Sequence, residues 1–103
     1  MKAIRVQYTV QKDYVEQNQE RIRKVMADLR DLNNPNIQYA AFLLEDGQSF
    51  MHLAVYPDEE TSQIVPNLES FKDFRMGLKA SKPINPPHAQ DIELVGAAFE
   101  YFK

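Results

Sequence analysis

Ile37-Gln38-Tyr39-Ala40-Ala41-Phe42-Leu43-Leu44-Glu45-Asp46-Gly47-Gln48-Ser49-Phe50-Met51-His52-Leu53-Ala54-Val55-Tyr56 is the stretch that decides the architecture. Two β-rich runs, residues 37–45 and 49–56, flank an Asp-Gly pair, and Asp-Gly between apolar runs is a strong short-range hairpin signal. The strands should therefore pair antiparallel. With Asp46 and Gly47 as the loop, Phe42 faces Met51, Ala41 faces His52 and Tyr39 faces Ala54. Alternation then puts Ala40, Phe42, Leu44, Met51, Leu53 and Val55 on one side. Tyr39, Ala41, Leu43, Phe50, His52, Ala54 and Tyr56 fall on the other.

Upstream, Ile4, Val6, Tyr8 and Val10 alternate with Arg5, Gln7 and Thr9, the period-2 signature of a strand. Val15, Ile22, Val25, Met26, Leu29 and Leu32 then recur at three- and four-residue steps. They predict a helix of roughly five turns, with Asp13 available as its cap and Asn33-Asn34-Pro35-Asn36 as its terminator. Downstream, residues 57–82 read as a broken helical region interrupted at Pro66. It restarts at Ser70, with Asp73 three positions on in a capping-box pattern and Phe71, Phe74 and Leu78 as the buried stripe. Asp58-Glu59-Glu60 suits a helix start, and Arg75, Lys79 and Lys82 suit a helix end. Pro83, Pro86 and Pro87 are expected to carry residues 82–88 across the surface outside any ladder, with the last strand at residues 91–102.

Strand, helix, strand, strand, helix, strand is the order of the ferredoxin-like α+β fold, βαββαβ, in which a four-stranded antiparallel sheet carries its helices on one face. At 103 residues, 44% of them hydrophobic, the chain should form a single domain over residues 1–103. A net charge of −3 and the lack of any Lys/Arg cluster argue against nucleic acid. Absence of cysteine excludes disulfides, thiolate nucleophiles and thiolate metal sites. The N-terminal residues turn polar at Gln7, and no run reaches membrane-spanning length, so a cytoplasmic protein with no membrane partner is expected.

Helix cover is expected on the purely apolar side of the sheet. Arg5, Gln7, Tyr39, Leu43, Phe50, His52 and Tyr56 would then be left on a face too apolar for water. A second copy closing on that face would form a homodimer and enclose a partly polar cavity.

Residues 4–10, Tyr39-Ala40-Ala41-Phe42, Ser49-Phe50-Met51-His52-Leu53, Ser70-Phe71-Lys72-Asp73-Phe74 and Glu93-Leu94-Val95-Gly96 resemble the dimeric α/β-barrel superfamily, particularly small relatives of the antibiotic biosynthesis monooxygenases. The resemblance spans nearly the whole chain and rests on pattern. It implies two ferredoxin-like subunits forming one barrel, in a superfamily that includes cofactor-independent oxygenases of aromatic polyketides, haem-degrading enzymes and small isomerases. Tryptophan is absent, so neither the Asn, Trp and His set of the haem-degrading relatives nor the Trp of the quinone-forming oxygenases carries over.

The residues themselves nominate a site. His52 in mid-strand has a side chain able to exchange a proton near neutral pH or to ligate a metal or haem, or else it hydrogen-bonds Tyr39, Tyr56 or main chain within the dimer core. Arg5, paired with His52 as the catalytic set, would steady an anion, or else bridge to Glu93 or Glu100 of the second copy. Gln7, Tyr39, Phe50 and Tyr56 are the ligand-binding candidates; these aromatics and Phe99 could stack on a planar ligand or simply be core. No metal is expected, since His88 lies in the proline-rich loop without ligand spacing to His52. The expectation is a monooxygenase-like enzyme needing no cofactor, acting on a small apolar or aromatic, enolisable molecule. A non-catalytic ligand-binding or dimerisation domain is the alternative.

Overall fold

A computed structural model gives the protein's structure over residues 1–102. Its elements run β1 (Lys2–Thr9), α1 (Val15–Leu32), β2 (Gln38–Leu43), β3 (Ser49–Tyr56), α2 (Glu59–Ser62), α3 (Glu69–Ala80) and β4 (Asn85–Ile92). Short 3-10 turns at Lys12–Tyr14 and Val65–Asn67 lead into α1 and α3. The sheet is antiparallel in the order β2-β3-β1-β4, which is the ferredoxin-like βαββαβ arrangement.

The hairpin keeps the pairs read from the sequence: Phe42 with Met51, Ala41 with His52, Tyr39 with Ala54. Its loop is longer than two residues. Gly47 N–H donates to Leu44 O at 3.0 Å, and Gly47 adopts φ +73, the left-handed region that favours glycine. Leu44 N–H donates to Ser49 O at 2.8 Å, so the loop is residues 45–48 with the register unchanged.

Cross-strand parity decides which face meets the helices. Val6 pairs with His52, Tyr8 with Phe50 and Ile4 with Ala54, so Tyr39, Leu43, Phe50, His52 and Tyr56 share the side of Ile4, Val6 and Tyr8. That is the helix-covered side, where Tyr8, Val10, Phe50, Ile22, Val25, Phe74 and Leu78 form the main core. The expected orientation is therefore corrected: only Arg5 and Gln7 of the anticipated leftover group lie on the open face, beside Met51, Leu53, Phe42 and Ala40. The reason is chemical. The hydroxyls and imidazole satisfy one another, so the aromatic, partly polar side can be buried at little cost.

Two helix starts differ from expectation. Asp13 lies in the 3-10 turn and makes no capping bond, since α1 continues directly from that turn. Ser70 lies inside α3, whose cap position is Leu68, so the Ser70/Asp73 capping box does not form. Asp58 does cap: its Oδ1 accepts Thr61 N–H at 2.7 Å. Asn33, at φ 50, closes α1 in the left-handed conformation.

The last strand is also corrected. β4 occupies the proline-containing Asn85–Ile92 and not residues 91–102. Pro86 and Pro87 fall where the register shifts between Gln7 and Thr9, on an edge strand whose outer N–H groups need no partner. Residues 93–102 contain no strand; β1 already has β3 and β4 as its two neighbours, so the place expected for the tail is taken by β4. Val95 in this tail is wholly exposed.

Candidate functional site

A line of four polar side chains, three buried and the fourth, Tyr39, half-buried, runs through the core beneath the helices. Asn18 Nδ2 donates to Tyr8 Oη at 2.9 Å, Tyr8 Oη lies 2.7 Å from His52 Nε2, and His52 Nδ1 lies 2.7 Å from Tyr39 Oη. Four elements position it. β1 and β3 place Tyr8 and His52 on adjacent strands, β2 brings Tyr39 beside them, and α1 delivers Asn18 from a position of its apolar stripe between Val15 and Ile22. Tyr8 stacks on Phe50 at 5.5 Å and 13°, while the imidazole packs against Phe74 at 5.4 Å.

Burial sets the protonation of every member. It pushes His52 down to about 4, so the imidazole is neutral at pH 7. It also raises the Tyr8 and Tyr39 hydroxyls well above the usual tyrosine range, with the Asn18 hydrogen bond opposing part of the effect at Tyr8. The line is thus an uncharged relay. A neutral imidazole donates through one nitrogen and accepts through the other, so it carries one of two polarities. With Asn18 donating, Tyr8 gives its proton to Nε2, Nδ1–H is donated to Tyr39, and the Tyr39 hydroxyl proton is left free. Asn18 Oδ1 at the far end has no partner among the described residues, although Asn18 is fully buried. In the opposite polarity, with the Asn18 amide turned, Tyr39 donates inward and its oxygen can accept.

Space adjoins the Tyr39 end. A cleft of about 410 Å³ runs along Leu29, Asn33 and Pro35, and another of about 370 Å³ runs along Ile22, Ala41 and Phe50. Met26, Arg30 and Tyr39 line both. Beneath them a narrow gap touches His52, Phe71 and Phe74, and Met26 and Tyr39 line that gap too. Met26, an unbranched and adaptable side chain, therefore stands between the outer clefts and the relay.

The anticipated site residues separate into two groups. His52, Tyr39 and Phe50 meet on the helix side. Tyr56 is buried on that side in a second cluster with Ala54 and Val65, against which Tyr39 packs, but its hydroxyl, pushed up to about 12 by burial, takes no part in the hydrogen bonds of the relay. Arg5 and Gln7 occupy the opposite face, so the expected His52–Arg5 pair cannot act on one ligand atom: a sheet lies between them. Phe99 sits in the tail, 4.8 Å from the Tyr101 ring. Sequence reasoning missed Asn18 and Tyr8 as site residues; an asparagine within an apolar helical stripe marks the first, and the second is marked only by its pairing across from Phe50, beside His52.

Among the described residues, no group of three or more His, Asp or Glu could hold a metal ion, and no helix is long and apolar enough to cross a membrane. No protein-family profile matches the sequence, and the curated proteins yield no match. Solved structures do match. An antibiotic biosynthesis monooxygenase superimposes with a TM-score of 0.77 at 14% identity, covering 93% of this chain and 100% of its own. The Mycobacterium tuberculosis protein Rv0793 gives 0.78 at 10% identity, covering 95% and 98%. A single-site variant of SnoaB, a cofactor-independent oxygenase from Streptomyces nogalater, gives 0.65 at 14%, covering 96% and 97%. Over nearly its whole length, the chain has the ferredoxin-like fold of solved antibiotic biosynthesis monooxygenases.

Proposed function

We propose that the protein is a homodimeric, cofactor-independent monooxygenase-like enzyme that takes a small aromatic or enolisable molecule between α1 and the sheet, with Tyr39 as the contacting residue. The observation that carries this reading is the neutral Asn18–Tyr8–His52–Tyr39 relay ending at Tyr39, which lines both outer clefts. Such a relay offers a ligand oxygen either a donor or an acceptor at Tyr39, according to its polarity. The oxygenase neighbour of the same fold supports the reaction class. In that reaction an activated CH2 group and dioxygen give a carbonyl and water, with dioxygen as oxidant.

His52 is placed as a positioning residue and not as a strong base. With its pKa at about 4, accepting a proton from a phenol of pKa about 10 is uphill by roughly 8 kcal/mol. Tyr39, held by His52 Nδ1, instead steadies the ligand oxygen. Homodimer formation is supported by the apolar open face, where Phe42 is 49% exposed, and by the exposed Leu94, Val95 and Phe99 of the tail.

Binding of 1-naphthol and of naphthalene, followed by NMR, tests the site. Tyr39→Phe should weaken 1-naphthol by about tenfold, the equivalent of one lost hydrogen bond, while leaving naphthalene unchanged. Equal loss for both, or for neither, would overturn the Tyr39 site. Oxygen uptake with phenolic and 1,3-dicarbonyl compounds separates the enzyme from the alternative, a non-catalytic ligand-binding or dimerisation domain. That alternative is favoured by the two nitrogens of His52 being already satisfied within the protein. Binding without any oxygen uptake would establish it.

A further inference from the structure

On the opposite side of the sheet, Arg5 projects from the middle of β1 and, among the described residues, is engaged only by amide oxygens. Its Nη1 donates to Gln90 Oε1 at 3.1 Å and its Nη2 donates to Gln7 Oε1. A guanidinium has no acceptor, so each glutamine must turn its oxygen toward it and its NH2 away. This fixes the amide orientation without ambiguity. The guanidinium has five N–H groups and these bonds use two. His88 stands opposite Gln7 on β4, on the same face. The cluster thus presents unused donors whose own acceptors have been turned inward.

No described strand residue on that face balances the charge. Among the described residues, no Asp or Glu occupies a paired strand position there, and Arg5 enters no ion pair. The floor around it is apolar: Leu53 lies directly across from Arg5, Met51 across from Gln7, and Phe42 follows on the next strand. A second copy laid on this face adds another guanidinium and no strand carboxylate, so in a dimer a protein carboxylate could reach Arg5 only from the tail, at Glu93 or Glu100.

We propose that Arg5, Gln7 and Gln90 form an anion-binding site on the open sheet face for a small carboxylic acid with a flat apolar body. The carboxylate meets the outward donors of Arg5 and the two amides. The apolar body lies on Leu53, Met51 and Phe42. Arg is suited to this task because its planar fork matches the two oxygens of a carboxylate. The site is separate from the Tyr39 relay and does not depend on it.

Calorimetric titration of the unaltered protein with 2-naphthoate and with its neutral analogue 2-naphthamide tests the proposal, with methyl NMR reporting the location. The acid should bind about tenfold more tightly than the amide, or better. It should perturb the methyl signals of Leu53 and Met51 and leave that of Met26, on the relay side, in place. Arg5→Gln should weaken 2-naphthoate by about tenfold and leave 2-naphthamide unchanged. Equal binding of acid and amide, or perturbation confined to Met26, overturns the site; the latter pattern would point to the Tyr39 cleft and leave that reading standing. Failure of 2-naphthoate to bind, together with weakened self-association in Glu93→Gln or Glu100→Gln, would show that Arg5 pairs with a carboxylate of a second copy, and overturns it as well.

Discussion

Tyr8→Phe is expected to lower stability by roughly 2–4 kcal/mol, although it removes a single oxygen atom. The ring is retained, so the stack on Phe50 and the contact with Phe74 survive. What is lost is the bridge between Asn18 Nδ2 and His52 Nε2, both inside the core. Each buried polar group left without a partner costs about 1–3 kcal/mol, because it was dehydrated on folding and no longer has compensation. Against a total stability of about 5–15 kcal/mol for a domain of this size, that loss is large. The midpoint of thermal unfolding should fall by roughly 10–25 °C. Tyr14→Phe is the control: Tyr14 is also buried, but its hydroxyl only accepts from Arg21 at 3.3 Å, so the expected cost stays below about 1 kcal/mol. Equal effects of the two substitutions in thermal melts would mean that the relay contributes no more than an ordinary tyrosine hydroxyl.

The relay also marks where sequence reasoning stopped. Asp46-Gly47 between apolar runs set the hairpin register, and the three pairs inferred from it are those of the structure, because side-chain period and turn position leave one consistent alignment. The βαββαβ order followed from the same local signals. The direction in which the sheet faces its helices did not. Polarity alone favoured burying Phe42, Met51 and Leu53, yet the side with two tyrosines and a histidine is buried, since their polar atoms meet one another. That mutual satisfaction is a tertiary property, visible only once β1, β2 and β3 are aligned. Carrying the parity of Val6 and His52 across β1 would have exposed the conflict between placing Arg5 and His52 on one face. Pro86 and Pro87 misled for a related reason: proline is excluded from a central strand, and only the strand order reveals that β4 is an edge. Ser70 carried a capping pattern, but Leu68 follows Pro66 closely enough for α3 to begin two residues earlier than that pattern requires.

Acidification should destabilise the protein through His52 well before most carboxylates titrate. Burial holds the folded imidazole at about 4, against 6.5 for the ordinary group, so below pH 6.5 the unfolded chain binds a proton that the folded chain refuses. Stability from this group is therefore fully present above pH 6.5 and is lost progressively as pH falls toward 4. Between pH 7 and pH 5 the loss is about 2 kcal/mol. Urea unfolding at the two pH values, in the native chain and in His52→Phe, isolates it. The variant should be less stable at pH 7, because Tyr8 and Tyr39 lose their shared partner, but it should show about 2 kcal/mol less dependence on pH over this interval. Identical pH dependence in the two proteins would mean that protonated His52 is accommodated in the folded core, with Tyr8 and Tyr39 both accepting from it. In that case the imidazole would be available as a proton acceptor near neutrality, and Tyr39 would face the ligand oxygen beside a cation. The pH slope thus decides whether His52 acts on a ligand by orienting Tyr39 or by carrying charge.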